Sequence, residues 1–178
     1  MKHERNRKPR PPLDAERLER LALFYAGRYA TTRAKLATYL QRKLGERGWA
    51  GEGQPGVERL IERFVELGYI DDRAFASARA ASLRRRGYGE RRLDQALYAA
   101  GIDEADAAEA KAQAQSGAWE AAVRFAERKR IGPFAQVEPD RAELQKALAA
   151  MLRAGHPMEI ALKLVRARPG AVPIPDET

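Results

Sequence analysis

Apolar residues along this chain recur mainly at intervals of three and four, the period of a helix with one buried face, and not in the alternation of a half-buried strand. In the stretch 32–47, Leu36, Leu40 and Leu44 form one stripe while Lys35, Tyr39 and Arg42 fall on the other side. In 90–100, Leu93 and Leu97 oppose Arg91, Gln95 and Tyr98, taking about 100° of rotation per residue. The same pattern predicts helices near 14–29, 32–47 and 55–67, then 72–86, 90–100 and 103–115, then 118–130, 139–154 and 157–167. Taken in threes, these describe an all-α fold, an elongated array of three tandem three-helix repeats.

The punctuation between the stripes supports that division. Gly48, Gly101 and Gly155 stand at almost equal spacing, each four residues after an apolar residue (Leu44, Leu97, Met151), where a helix C-terminus favours glycine. Thr31-Thr32, Asp71-Asp72, Asp103 and Pro139-Asp140 precede apolar-periodic runs, where a side-chain oxygen can take an unpaired N–H and a carboxylate suits the helix dipole. The segment "LGYIDDRAFA" at 67–76 therefore places Asp71 and Asp72 at the start of a fourth helix, on the seam between two units. A catalytic or metal-holding pair is the competing reading, but no histidine or third carboxylate falls at a useful spacing. The expected organisation is a basic, disordered arm over 1–13, repeats over 14–69, 70–117 and 118–167, and a flexible tail over 168–178.

Composition narrows the chemistry. There are no cysteines, which excludes disulfides, thiolate metal sites and thiol nucleophiles. No apolar run approaches the roughly 18 residues of a membrane span, so a cytoplasmic protein with no membrane partner is expected. The only two histidines, His3 and His156, argue against a metal site, and no GxxxxGK[ST] loop is present to hold a nucleotide. No cofactor and no catalytic residue is expected. The formal net charge is +8, with 33 Lys and Arg against 25 Asp and Glu, and points to an acidic partner.

That charge is concentrated. Between 79 and 92, Arg79, Arg84, Arg85, Arg86, Arg91 and Arg92 face a single carboxylate, Glu90, and Tyr98 lies on the Arg91 face of its helix. Lys35, Tyr39 and Arg42 repeat the arrangement upstream. Guanidinium groups can hold phosphates and an exposed tyrosine can stack on an unpaired base, which is how single strands are gripped without sequence preference. Simple solvated helix faces are the alternative. Arg79 falls near Phe75 and Arg86 on the helical wheel, which fits either the rim of the core or a binding face. The acidic stretch "DEADAAE" at 103–109 would repel DNA.

The residues 66–103, "ELGYIDDRAFASARAASLRRRGYGERRLDQALYAAGID", resemble the central repeat of the RecX family of RecA regulators. "TTRAKLATYLQRKLGERGW" at 31–49 resembles that family's first repeat, and "AAMLRAGHPMEIALKLV" at 149–165 its last, so the resemblance spans roughly 15–167. It implies a curved three-repeat array that binds RecA and the single-stranded DNA within its filament. It further implies inhibition of filament extension and RecA activity, tuning recombinational repair and the SOS response without a cofactor, while a monomer is expected because each three-helix unit has a small core and relies on its neighbours to cover the rest. Three readings compete with it. A helix-turn-helix transcription factor would need duplex specificity, a small nuclease would need a metal at Asp71 and Asp72, and an interaction scaffold would serve another acidic partner.

Overall fold

The computed structural model describes residues 10–175. Among these, nine α-helices follow one another: Ala15–Arg28 (α1), Arg33–Arg47 (α2), Val57–Glu66 (α3), Asp72–Arg85 (α4), Glu90–Ala99 (α5), Glu104–Ser116 (α6), Ala118–Lys129 (α7), Arg141–Arg153 (α8) and Met158–Val165 (α9). A 3-10 turn at Gly132–Phe134 interrupts the loop between α7 and α8. The helices share three apolar clusters, one for each set of three. The fold is all-α with three tandem three-helix repeats. It parts at Asp72 into two compact units, the first ending there and the second beginning at Arg73.

The helix starts are written in short polar side chains. Asp14, Thr32, Asp103 and Asp140 accept hydrogen bonds from the N–H groups of Arg17, Lys35, Asp106 and Glu143 respectively. At α8, Glu143 reaches back to the N–H of Asp140, completing a capping box. Each such cap contributes about 1 kcal/mol.

Helix ends use one device repeatedly. At Gly68, Gly87, Gly101 and Gly155 the chain turns left-handed, with φ of 74°, 68°, 68° and 93°. The next residue then bonds back across the last turn: Tyr69 N–H to Phe64 O at 2.9 Å, Tyr88 to Leu83 at 3.0 Å, Ile102 to Leu97 at 3.1 Å and His156 to Met151 at 3.2 Å. This is the Schellman closure, which needs glycine or tolerates strain at its turning residue. Helix α7 closes the same way, Ile131 N–H to Ala126 O, but its turning residue is Arg130 at φ 55°.

In the first unit, Leu13, Leu36 and Leu40 are fully buried with Phe64, Ile61 and Ile70 around them. Each large side chain so covered contributes about 1.5–3 kcal/mol. Residues 1–9 of the expected arm lie outside the described residues, but its last part is held. Leu13 forms a parallel bridge with Trp49, and Pro11 O accepts two bonds from the Arg47 guanidinium. Leu13 thus belongs to the core and not to an arm.

Asp72 departs from the expected role. It is the first residue of α4, yet its carboxylate is turned to α2, where Oδ1 accepts from the Arg33 N–H at 3.0 Å and Oδ2 from Arg33 Nε at 3.1 Å. With Thr32 bonding Lys35, the start of α2 is capped from two sides. The fully local reading of the couplet misses this because the partner lies 39 residues away.

In the second unit the cluster of α4–α6 is built from small residues, Ala76, Ala80, Ala107 and Ala110 with Leu83, Leu93 and Leu97, so its helices approach closely but bury little volume. The α7–α9 cluster holds Phe125, Ile131, Met151, Leu164 and Val165, and Tyr88 packs against both clusters. The seam between them is backbone on backbone. Gly89 N–H donates to Ala154 O at 2.9 Å and Arg91 N–H to Gly155 O at 3.3 Å, so the N–H groups at the start of α5 meet the carbonyls at the end of α8. A Cβ on Gly155 would lie 2.5 Å from Arg92 N, and one on Gly87 2.8 Å from Phe125 N. His156, fully buried, sits 3.1 Å from Gly87 O through Nε2. Burial pushes its pKa down to about 4, so the neutral ring donates that bond.

The tail over 168–178 is described as far as residue 175. Gly170 N–H is bonded to Pro133 O at 2.8 Å, which ties its first part to the α7–α8 loop.

Candidate nucleic-acid interface

Cationic side chains of the second unit converge on one ring. The guanidinium carbons of Arg86, Arg92 and Arg128 lie 5.1, 6.0 and 5.8 Å from the centroid of Tyr88, and Arg128 also lies 5.3 Å from that of Phe125. Tyr88 is placed there by the Schellman closure at Gly87, which throws the residue after the turn back over the end of α4. The arginines of α7 have a second task. Arg124 donates to Arg84 O at 3.2 Å and Arg128 to Arg86 O, so they cover carbonyls at the C-terminal end of α4.

Among the described residues no carboxylate forms an ion pair with Arg84, Arg85, Arg86, Arg91, Arg92, Arg124 or Arg128. Like charges this close repel in the absence of an anion, and the ring face only partly compensates. The cluster therefore suits a multiply charged anion such as a phosphate backbone.

The other expected residues are placed as follows. Arg79, Arg84 and Arg85 are exposed on α4. On α5, Leu93 and Leu97 are buried while Arg91 and Gln95 are exposed, and Tyr98 is 88 % exposed, more than any other large apolar or aromatic side chain described. Gly48, Gly101 and Gly155 occupy left-handed turns at φ 77°, 68° and 93°. Asp71 immediately precedes α4, and Asp72 binds α2.

In the first unit the geometry differs from the expected open platform. Tyr39 is half-buried and stacked on Tyr25, ring centroids 4.2 Å apart and planes 16° from parallel, which occupies one of its faces. Arg42 and Lys43 flank it at 5.7 and 5.9 Å. Both also approach Glu46, at 3.8 and 2.6 Å, and the hydrogen bond from Lys43 holds that carboxyl below its usual range. Lys35 is half-buried at the start of α2.

Sequence reasoning overlooked the neighbouring face of α1. There Phe24 and Tyr29 are 58 % and 50 % exposed, with the Arg28 guanidinium 5.9 Å from each ring. The signal was present: with Leu18 and Ala22 buried and Tyr25 packed on the core, Phe24 and Arg28, four apart, must fall outside it.

The acidic stretch 103–109 is largely engaged within the second unit. Asp103 caps α6, Asp106 pairs with Arg73 at 2.9 Å, and Glu104 pairs with Lys111 at 2.7 Å. Lys111 is held in its charged form by Glu104 and, at 3.6 Å, Asp94. Among the described residues no cluster of three His, Asp or Glu side chains is placed to hold a metal ion, and no helix is long and apolar enough to cross a membrane.

Comparison with known proteins places this arrangement. The family described as "RecX, second three-helix domain" matches residues 71–110, which span α4, α5 and the start of α6. The chain is 35 % identical over 176 residues to a protein of Myxococcus xanthus named "Regulatory protein RecX", covering 94 % of both chains. A protein of Agrobacterium fabrum with the same name is 30 % identical over 81 % of this chain and 79 % of its own. In fold, the chain is similar to the crystal structure of RecX from Lactobacillus salivarius, with a TM-score of 0.62 over 85 % of this chain and 94 % of that one at 18 % identity.

Proposed function

The chain belongs to the RecX family of regulatory proteins, and from that premise we propose that it is a non-enzymatic regulator that binds the RecA filament on single-stranded DNA and inhibits its extension. The observation that carries this reading is the 35 % identity to a RecX regulatory protein along nearly the whole of both chains. It is supported by the arginines around Tyr88 and along α5, which form a cationic surface without internal ion pairs. RecA and its bound strand are the partners. The protein acts as a cytoplasmic monomer without a cofactor, and its effect falls on RecA-dependent repair and the SOS response. Its repeats run over 14–69, 70–117 and 118–167.

On this reading Arg85, Arg86, Arg91 and Arg92 meet phosphates, while Tyr98 is free to stack on a base. Arg79 and Arg84 extend that strip, and Lys35, Tyr39 and Arg42 form a second one, in which Tyr39 serves by its remaining face. If about three to five phosphates are neutralised, affinity for single strands falls with salt at a log–log slope of about −2 to −3.5.

The test is substoichiometric addition to RecA, ATP and single-stranded DNA, followed by the rates of filament extension and ATP hydrolysis. Both should fall, and replacing Arg85, Arg86 and Arg91 by Glu should weaken the effect while helicity by circular dichroism stays unchanged. A repeat on preformed filaments without free DNA separates action on the filament from competition for the strand. RecA activity untouched under both protocols at saturating protein would return the molecule to the class of interaction scaffolds.

A further inference from the structure

The last repeat contains a groove that the RecA reading does not use. It has a volume of about 460 Å³ and lies between the end of α7, the loop 131–140 and α8. Its apolar lining includes Ile131, Val137, Leu144, Ala147, Ala150 and Val165, and Val137 is 72 % exposed. Lys129, Arg130 and Lys146 line it as well, and among the described residues none of the three forms an ion pair. The one carboxylate in the lining, Glu143, is turned back to the N–H of Asp140. A second hollow of about 130 Å³ shares Pro139, Leu144 and Val165 with the first and adds Arg166 and Arg168 against one carboxylate, Glu138.

Two features indicate what fits. The volume lies within the range of about 300–1,000 Å³ typical of built binding sites. The apolar part of the lining is aliphatic, with no Phe, Tyr or Trp on which a base could stack, so cationic charge here serves something other than a single strand. In addition, Arg130 is the one non-glycine residue at positive φ among the described residues, at a turn where four other helices use glycine. Strained backbone of this kind gathers at ligand contacts.

We propose that this groove docks an acidic protein segment, which inserts one or two bulky aliphatic side chains among Leu144, Ala147 and Val165 while Lys129, Arg130 and Lys146 meet its carboxylates. Binding then requires both the apolar insert and the negative flanks. The partner is defined by that chemistry alone and the test contains no RecA, so this inference and the RecA reading fail separately.

The experiment is fluorescence anisotropy of the full chain with a short fluorescein-labelled peptide of mixed Glu and Asp around a central Leu-Leu pair. The expected result is saturable binding that weakens with salt and falls about tenfold on replacing the Leu pair by Ser. Exchanging Lys129 and Lys146 for Glu, both on exposed helix surface, should have an effect of similar size. Arg130→Gly relieves the turn and removes the guanidinium, so it should weaken the peptide while raising the unfolding midpoint; a purely structural role would change only the midpoint. Equal affinity for the Ser peptide would reduce the contact to surface charge and overturn the proposal. So would indifference of binding to the Lys129, Lys146 and Arg130 changes, or displacement of the peptide by oligo-dT with loss of oligo-dT affinity in those same variants.

Discussion

Gly89 tests the seam of the second unit. Its backbone, φ −82° and ψ 175°, is open to any L-residue, so conformation gives no reason for glycine there. On that ground alone Gly89→Ala should stabilise by about 0.4–1 kcal/mol through the unfolded state. The packing predicts the opposite. A Cβ would lie 2.4 Å from Gly155 O, 2.5 Å from Gly155 C and 2.7 Å from His156 N, all backbone atoms that no rotamer change can move. Opening the seam costs about 1–3 kcal/mol in overpacking. It also lengthens the Gly89–Ala154 and Arg91–Gly155 bonds, worth about 0.5–1.5 kcal/mol each. The net expectation is a loss of about 2–4 kcal/mol.

The assay is urea unfolding of the full chain in a Trp49→Phe background, so that fluorescence from Trp119 reports the second unit. Gly45→Ala, read from Trp49 in a Trp119→Phe background so that the first unit is monitored, serves as a control for glycine replacement, since Gly45 lies inside α2 with nothing within 4 Å of the point its Cβ would occupy, and that change should stabilise by about 0.5–1 kcal/mol. If Gly89→Ala matched or exceeded the parent in stability, the close-packed seam would be wrong and the two clusters of the second unit would be only loosely joined.

Three further outcomes follow from the geometry. His156, with its pKa lowered from 6.5 to about 4, binds a proton more weakly folded than unfolded; stability should be flat above pH 6.5 and fall by up to about 3 kcal/mol between there and pH 4, a slope that His156→Gln removes in the same titration. Asp72→Ala deletes both bonds to Arg33 and should lower the unfolding free energy of the first unit by about 1.5–3 kcal/mol, toward the lower end because Arg33 is half exposed; an unchanged Trp49-monitored midpoint would dismiss the cross-helix cap. Arg130→Gly should stabilise the second unit by about 1 kcal/mol, read from the Trp119-monitored midpoint, and a destabilised variant would mean that the side chain holds the turn.

The helices were legible because their determinants are local. A stripe such as Leu36, Leu40 and Leu44 and a cap such as Thr32 or Asp140 act within one or two turns, and the observed bounds differ from the expected ones by no more than about two residues. Glycines at Gly48, Gly101 and Gly155 could be read for the same reason, and the Gly-Tyr pairs at 68–69 and 87–88 proved to be the closure of Gly101 and Gly155 carrying an aromatic residue. What stayed hidden was each side chain whose partner is distant in the chain. Asp72 looks like a cap for its own helix until Arg33 is brought beside it, and Tyr39 looks like an open platform until Tyr25 covers one face.

The same distinction decides which arginines can report on binding. A run of positive charge in a sequence does not separate side chains that reach outward from those spent on the protein's own carbonyls. Arg124 and Arg128 are of the second kind, since they bond to Arg84 O and Arg86 O across some forty residues, and replacing them would loosen the end of α4 together with the ring of Tyr88. Any loss of affinity there would mix structure with contact. Arg85 and Arg91 are exposed and make no side-chain hydrogen bond or ion pair among the described residues, so their charge can be reversed with little effect on the fold. A binding surface centred on Tyr88 must therefore be tested from its edge inward: Arg85 and Arg91 first, where a lost interaction means lost contact with the partner, and Arg128 only once its effect on stability has been measured.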